Sequence, residues 1–154
     1  QGLRSWRRET AGRAGDYPAP VLDRSRCPCG SGAALAACCG PLLGGWAHAA
    51  SPEALMRSRY TAYATGTPDA IAYLVATHHH STREPDLAEG IAASVAAIDA
   101  WEGLRVVHAA SEGDTGVVEF VASFRRGGER GELRERSRFA REDGRWSYVD
   151  GEIG

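Results

Sequence analysis

Cys27, Cys29, Cys38 and Cys39 are the four cysteines of the chain, set in the order C-x-C-x8-C-C within the stretch "RCPCGSGAALAACCGP". Such a cluster has two chemistries open to it, disulfide formation or metal ligation. The disulfide reading is poor. Adjacent cysteines such as Cys38 and Cys39 rarely bond to each other because the small ring strains the peptide. Two bridges would also have to close within one tiny loop, and a reducing compartment disfavours them. Four thiolates presented by two tight turns can instead surround one Zn2+ tetrahedrally. A zinc closed by four sulfurs leaves no open position for a substrate, so the spacing predicts a structural ion that stabilises a knuckle too small for a core. His48, nine residues beyond Cys39, reads as an ordinary surface or core histidine.

The elements that must position these thiols follow from their neighbours. Gly30, Ser31 and Gly32 permit a turn whose amides point at the sulfurs. Gly40-Pro41 is expected to close the second pair and to stop a short helical turn over "ALAA". Beyond the knuckle, "SPEALMRSRYTAYATG" opens with Ser51 as cap, Pro52 at the first helical position and Glu53 at the positive end of the dipole. Gly66 is its expected stop. "TPDAIAYLVATHHH" repeats the design with Thr67 and Pro68. "EPDLAEGIAASVAAIDAW" predicts a third helix, with Leu87, Ile91, Val95 and Ile98 at helical spacing.

After Gly103 the pattern becomes strand-like. "LRVVHAASEG", "TGVVEFVASFRRGG", "RGELRERSRFARED" and "RWSYVDGEI" are separated by glycine-containing turns, and Gly127-Gly128 and Asp143-Gly144 are hairpin signals. Helices followed by an antiparallel meander predict an α+β domain with about three helices packed on one face of a four-stranded sheet.

Several polar residues fall where apolar ones belong. On the helical wheel Arg59 lies in the arc of Leu55, Met56, Ala62 and Tyr63, whereas Arg57 points away. A buried guanidinium stays charged and needs an acceptor. Strand alternation puts Leu133, Glu135, Ser137 and Phe139 on one face and Arg134, Arg136 and Arg138 on the other. Glu135 is therefore expected to meet Arg59 as a bidentate pair, which either fixes helix against sheet or touches a ligand. The arginine stripe reads as a solvated face, offset by Glu142 and other acids, since no aromatic residues interleave it as a nucleic-acid surface would require. Trp146, Tyr148 and Asp150 alternate on one face, where they either bind a small ligand or pack in the core.

Composition bounds the rest. The chain has 154 residues, 43% hydrophobic and 25% charged, with a formal net charge of −2, as in a soluble globular protein without a polyanion-binding character. All 18 basic residues are arginines, which codon bias explains and which makes arginine runs less informative. No apolar run approaches the ~20 residues needed to cross a bilayer, and none follows Arg7–Arg8 as twin-arginine export would require. No membrane association and a cytoplasmic location are expected. Residues 1–25, rich in Arg, Gly and Pro without periodicity, read as a disordered lead-in.

Taken together, "CPCGSGAALAACCG", "LMRSRYTAYATG", "YLVATHHHS" and "ERSRFAREDGRWSYVDG" resemble the YchJ-like family, in which a SEC-C zinc knuckle precedes a nuclear-transport-factor-2-like domain. The knuckle is similar to the one that ends the SecA translocation ATPase. The resemblance implies a knuckle over residues 26–45, then a cone-shaped domain over 46–154 with a pocket between its helices and a curved sheet. Two departures stand out. Ala33, Ala34, Leu35, Ala36 and Ala37 occupy a loop that typically carries lysines, so the basic face for partner recognition is missing. The second knuckle of many relatives has no cysteines here to build it. The family pattern Thr-x-His-Pro-Ser is matched by Thr77, His79 and Ser81, with His80 in place of proline. His79 is thus either a helix-end histidine favoured by the dipole or a pocket acid or base.

Two functions are expected to compete. One is a non-enzymatic adaptor that makes protein contacts through the zinc knuckle. The other is a small-ligand binder or enzyme using a cone pocket with Arg59, His79, Glu135, Ser137, Trp146 and Asp150. Nucleic-acid binding is not expected, because the knuckle loop lacks charge and aromatics. A deep polar cavity would favour the second reading and a filled core the first.

Overall fold

A computed structural model of the chain describes residues 26–154; the expected lead-in over residues 1–25 lies outside them. Two tight loops carry the cysteines, joined by a 3-10 turn over Leu35–Ala37. Gly40-Pro41 does not end this segment. It opens a short helix, α1 (Gly40–Gly44), because proline within the first turn lacks only an amide that would be unpaired there.

Three longer helices follow, α2 (Pro52–Thr65), α3 (Pro68–Ala76) and α4 (Leu87–Ala97). Local chemistry sets both ends of α2 and the start of α3. Ser51 and Thr67 accept the amides of Ala54 and Ala70, each at 3.1 Å, a cap of about 1 kcal/mol. Gly66 ends α2 in the left-handed conformation with φ +68°. A second 3-10 turn, His80–Thr82, separates α3 from α4.

The remaining chain is an antiparallel meander in the order β1-β2-β3-β4: β1 (Ala100–Glu112), β2 (Thr115–Arg126), β3 (Glu129–Glu142) and β4 (Arg145–Ile153). Gly127-Gly128 and Asp143-Gly144 turn with positive φ at both central positions, the geometry whose twist matches that of the flanking strands. Irregularities at Trp101/Gly103 and Val106/His108 in β1, and opposite Arg138/Phe139 in β4, break the ladders. Such bulges increase local twist and bend the strands that carry them.

The helices cover one face of the sheet. Leu55, Met56 and Tyr60 of α2 pack with Trp101, Val118, Phe120 and Phe139 in the main core. The chain after α3 is tied to the edge strand by paired amides: His79 N donates to Tyr148 O at 2.7 Å and Tyr148 N to Thr77 O at 2.8 Å. The knuckle is joined to the same core, for Cys27, Cys29 and Cys39 are buried with Leu55 and Trp101. The protein is therefore an α+β cone with a cysteine cluster docked against α2 and β1. Among the described residues no helix is long and apolar enough to cross a membrane.

Candidate metal centre and cone cavity

All four sulfurs lie within 4.8 Å of one another. Cys29 Sγ is 3.6 Å from Cys38 Sγ, which is 3.9 Å from Cys39 Sγ. A disulfide needs about 2.05 Å, so the thiols are unpaired. Four sulfurs arranged tetrahedrally with bonds of about 2.3 Å would be about 3.8 Å apart. The observed separations match that edge, so the cluster fits one tetrahedral ion.

Its surroundings favour thiolates. The amides of Cys29 and Ser31 face the sulfurs of Cys27 and Cys29, Ser31 Oγ is 3.2 Å from Cys38 Sγ, and Thr61 Oγ1 donates to Cys39 Sγ at 3.4 Å. Without a cation, the thiols share their protons unequally. Hydrogen bonding with Cys27 pulls Cys29 down, and the same contact pushes Cys27 up; Cys39 is pushed up chiefly by Cys27. A bound cation would favour the thiolate at every position. Arg57 holds the first loop to α2: its Nη1 donates to Cys29 O at 2.8 Å and its Nε to Glu53 at 3.0 Å. The wheel placed Arg57 away from the core, and it does leave the apolar arc, toward the knuckle.

A second feature lies between the helices and the concave sheet, a cavity of about 450 Å³. Arg59, Glu135 and Ser137 line it, and so do Tyr63, His78 and Tyr148. Arg59 is only 6% exposed. The expected bidentate pair with Glu135 does not form. Arg59 Nη1 donates to Leu74 O at 2.9 Å and Thr77 Oγ1 at 2.7 Å. Its guanidinium carbon sits 4.6 Å from the Tyr148 ring centroid. The open carbonyl at the end of α3 and an aromatic face satisfy the cation before Glu135 can. Glu135 Oε2 accepts Ser137 Oγ at 2.8 Å and Tyr148 OH at 3.1 Å. Burial lowers the Arg59 pKa and raises those of Tyr63 and Tyr148, so the phenols stay neutral.

Three expected pocket residues lie elsewhere. His79 is buried outside the cavity and caps the 3-10 turn. Its Nδ1 accepts Ser81 N at 3.1 Å, and its Nε2 lies 3.1 Å from Glu142 Oε2, close but misaligned for a hydrogen bond. His80 Nε2 meets the other oxygen of Glu142 at 3.1 Å. These histidines, His79 first, hold the Glu142 carboxyl below its usual range. His78 is the member of the triplet that reaches the cavity. Burial, then the charge of Arg59, lowers its pKa. Trp146 is buried with the guanidinium of Arg141 over its ring at 5.0 Å, and does not line the cavity. Asp150 is on the outer face, paired with Arg138 Nε at 2.7 Å. The cause is the β4 bulge: Phe139 faces Tyr148 but Arg138 faces Asp150, so Val149 is the extra residue and alternation inverts after it.

Sequence reasoning missed Gly151. A methyl group there would collide with the Glu135 carboxylate, so this glycine leaves room for the acid. It lies directly opposite Ser137 in the ladder, a pairing that no local pattern reveals. Tyr63 carried a usable signal, since it shares the apolar arc with Arg59.

Known proteins match both the cysteine segment and the domain that follows it. Residues 51–151 match the family described as YchJ, middle NTF2-like domain, and residues 25–41 match the SEC-C motif. A UPF0225 protein of Chromobacterium violaceum is 52% identical over 132 residues, covering 83% of this chain and 93% of its own length. A UPF0225 protein of Vibrio vulnificus is 44% identical over 127 residues, covering 81% of this chain and 73% of the relative. The solution structure of a SEC-C motif containing protein from Rhodopseudomonas palustris superposes with a TM-score of 0.75 at 44% identity, covering 83% of this chain and 98% of that one. With the cone, the cysteine cluster and these matches in agreement, the chain belongs to the YchJ-like family, a SEC-C motif placed ahead of the YchJ middle NTF2-like domain.

Proposed function

We propose that the protein is a small-ligand binder, its pocket the cone cavity and its cysteine cluster a structural zinc site. The cavity carries the reading. At about 450 Å³ it falls within the roughly 300–1,000 Å³ typical of ligand pockets, and its apolar walls hold a few convergent polar groups. A filled core would have supported a purely structural or adaptor role.

Zinc is the metal that four thiolates in a tetrahedron suit best, and a site with four protein ligands leaves no position for substrate. Residues Cys27, Cys29, Cys38 and Cys39 would hold it, and it would supply folding energy to the knuckle. Thiols kept reduced for this purpose fit a cytoplasmic location. Partner recognition through the knuckle has less support: three cysteines face the core, and the exposed loop offers alanines and Leu35 but no charge.

The test joins metal analysis to ligand screening. Protein purified without chelator should contain one zinc per chain by elemental mass spectrometry, and a crystal soaked in a fragment mixture should show density between α2 and the sheet. Metal-free protein, or fragments found everywhere but the cavity, would count against the respective halves.

A further inference from the structure

The polar groups of the cavity have an asymmetry that specifies an occupant. Arg59 cannot shed its charge. Both hydrogens of its Nη1 are used, on Leu74 O and Thr77 Oγ1. Among the described residues, no acceptor meets its Nη2 or Nε. Glu135 shows the complementary state: Oε2 takes two hydroxyl donors, while no donor among the described residues meets Oε1. The two side chains line one cavity without forming an ion pair or hydrogen bond to each other. Tyr148 spaces them, with the guanidinium over its ring and the carboxylate on its hydroxyl.

We infer that the cavity selects an uncharged molecule with an amide- or lactam-like head, its carbonyl facing Arg59 and its N–H facing Glu135, and an apolar body among Ile91, Trp101 and Phe120. This rests on the ligand-binding reading above. Charge decides the class. An anion drawn to Arg59 would face the Glu135 carboxylate, and a cation drawn to Glu135 would face the guanidinium, in surroundings that screen poorly. A zwitterion would balance both but would bring two more charges out of water. A neutral head with one acceptor and one adjacent donor completes both residues and adds no charge. The aromatic and aliphatic wall residues are placed to cover the body of the molecule.

The experiment compares three probes that share a body and differ in the head: benzamide, benzoate and benzylammonium. Each is titrated at neutral pH into the full metal-loaded chain, isotope-labelled for two-dimensional NMR. Benzamide should move signals of Tyr63, Ser94 and Tyr148 and bind about ten-fold more tightly than either ion, a difference of about 1.4 kcal/mol. Glu135→Gln removes the carboxylate with its shape kept, and should raise benzoate affinity about ten-fold. Benzoate or benzylammonium binding as well as benzamide to the unaltered chain would overturn the selection of a neutral head and leave the cavity reading standing. If none of the three perturbs cavity signals at millimolar concentration, the cavity reading falls and this inference with it.

Discussion

The guanidinium of Arg59 lies 4.6 Å from the centroid of the Tyr148 ring, and the hydroxyl of that ring donates to Glu135. One tyrosine thus contacts both charged groups of the cavity by different parts of its side chain. It couples α2 to the edge strand through an aromatic face and an O–H bond. Arg59→Met should leave Leu74 O and Thr77 Oγ1 without their donor and destabilise the fold by about 1–3 kcal/mol. Tyr148→Leu and the double variant complete a cycle in denaturant unfolding, where a coupling of about 0.5–2 kcal/mol is expected for a desolvated cation and ring. No coupling would mean that the contact holds nothing.

Gly151 and Gly116 make a contrast. A methyl group at Gly151 meets the tip of the Glu135 side chain, which can swing away. Gly151→Ala should push Glu135 aside and leave the buried Ser137 hydroxyl without its acceptor, a loss of about 1–3 kcal/mol in denaturant unfolding, with the displacement of Glu135 visible in a crystal structure. A methyl group at Gly116 meets the ring of Pro52, held rigidly at the start of α2. Gly116→Ala should cost about 1–3 kcal/mol by overpacking, read from denaturant unfolding.

Metal removal should act beyond the knuckle, because three of the cysteines are part of the main core. Chelation is expected to speed amide exchange over residues 26–39 and around Arg57 and Thr61 of α2, which contact the cysteine loops, while the β1–β4 ladders stay protected. Arg57→Met removes the bond to Cys29 O and should give a weaker version of the same pattern with metal retained. Equal protection with and without metal would confine the ion to a passive role.

His78 gives the fold a pH dependence of definite sign. Burial and the charge of Arg59, with smaller contributions from Arg83 and His79, push its pKa below the ordinary imidazole value of about 6.5. The unfolded chain therefore takes up this proton first as pH falls. The contribution is intact above about pH 6.5 and declines as the pH drops toward the folded value. His78→Gln should flatten the thermal midpoint across that interval, measured with metal kept saturating. A variant with the same slope as the parent would assign the dependence to another group.

The arginine stripe should not bind nucleic acid. Arg134 and Arg138 already pair with Glu119 and Asp150, and Arg136 lies between Glu119 and Glu152 in the ladders. Single-stranded DNA or RNA should show no shift in fluorescence anisotropy at physiological salt. Retention that falls steeply with salt would reverse this conclusion.

Much of this architecture is local and therefore readable in the chain. Ser51, Pro52, Gly66, Thr67 and Pro68 set helix ends through contacts within four residues, and the two hairpin turns are set by backbone freedom at their own positions. The burial of Arg59 followed from its place on the helical wheel. The cysteine cluster followed from four thiols too close in sequence to scatter. Tertiary structure decided the rest. Arg59 bonds α3 and Tyr148, and Glu135 bonds its own sheet, because a carbonyl at a helix end competes with a carboxylate across a cavity and no sequence spacing ranks those acceptors. One extra residue at Val149 sends Asp150 to solvent, and the strand's alternation continues up to that point without announcing it. The cavity is the volume left when helices and a bent sheet meet, a property of their packing and of no single segment.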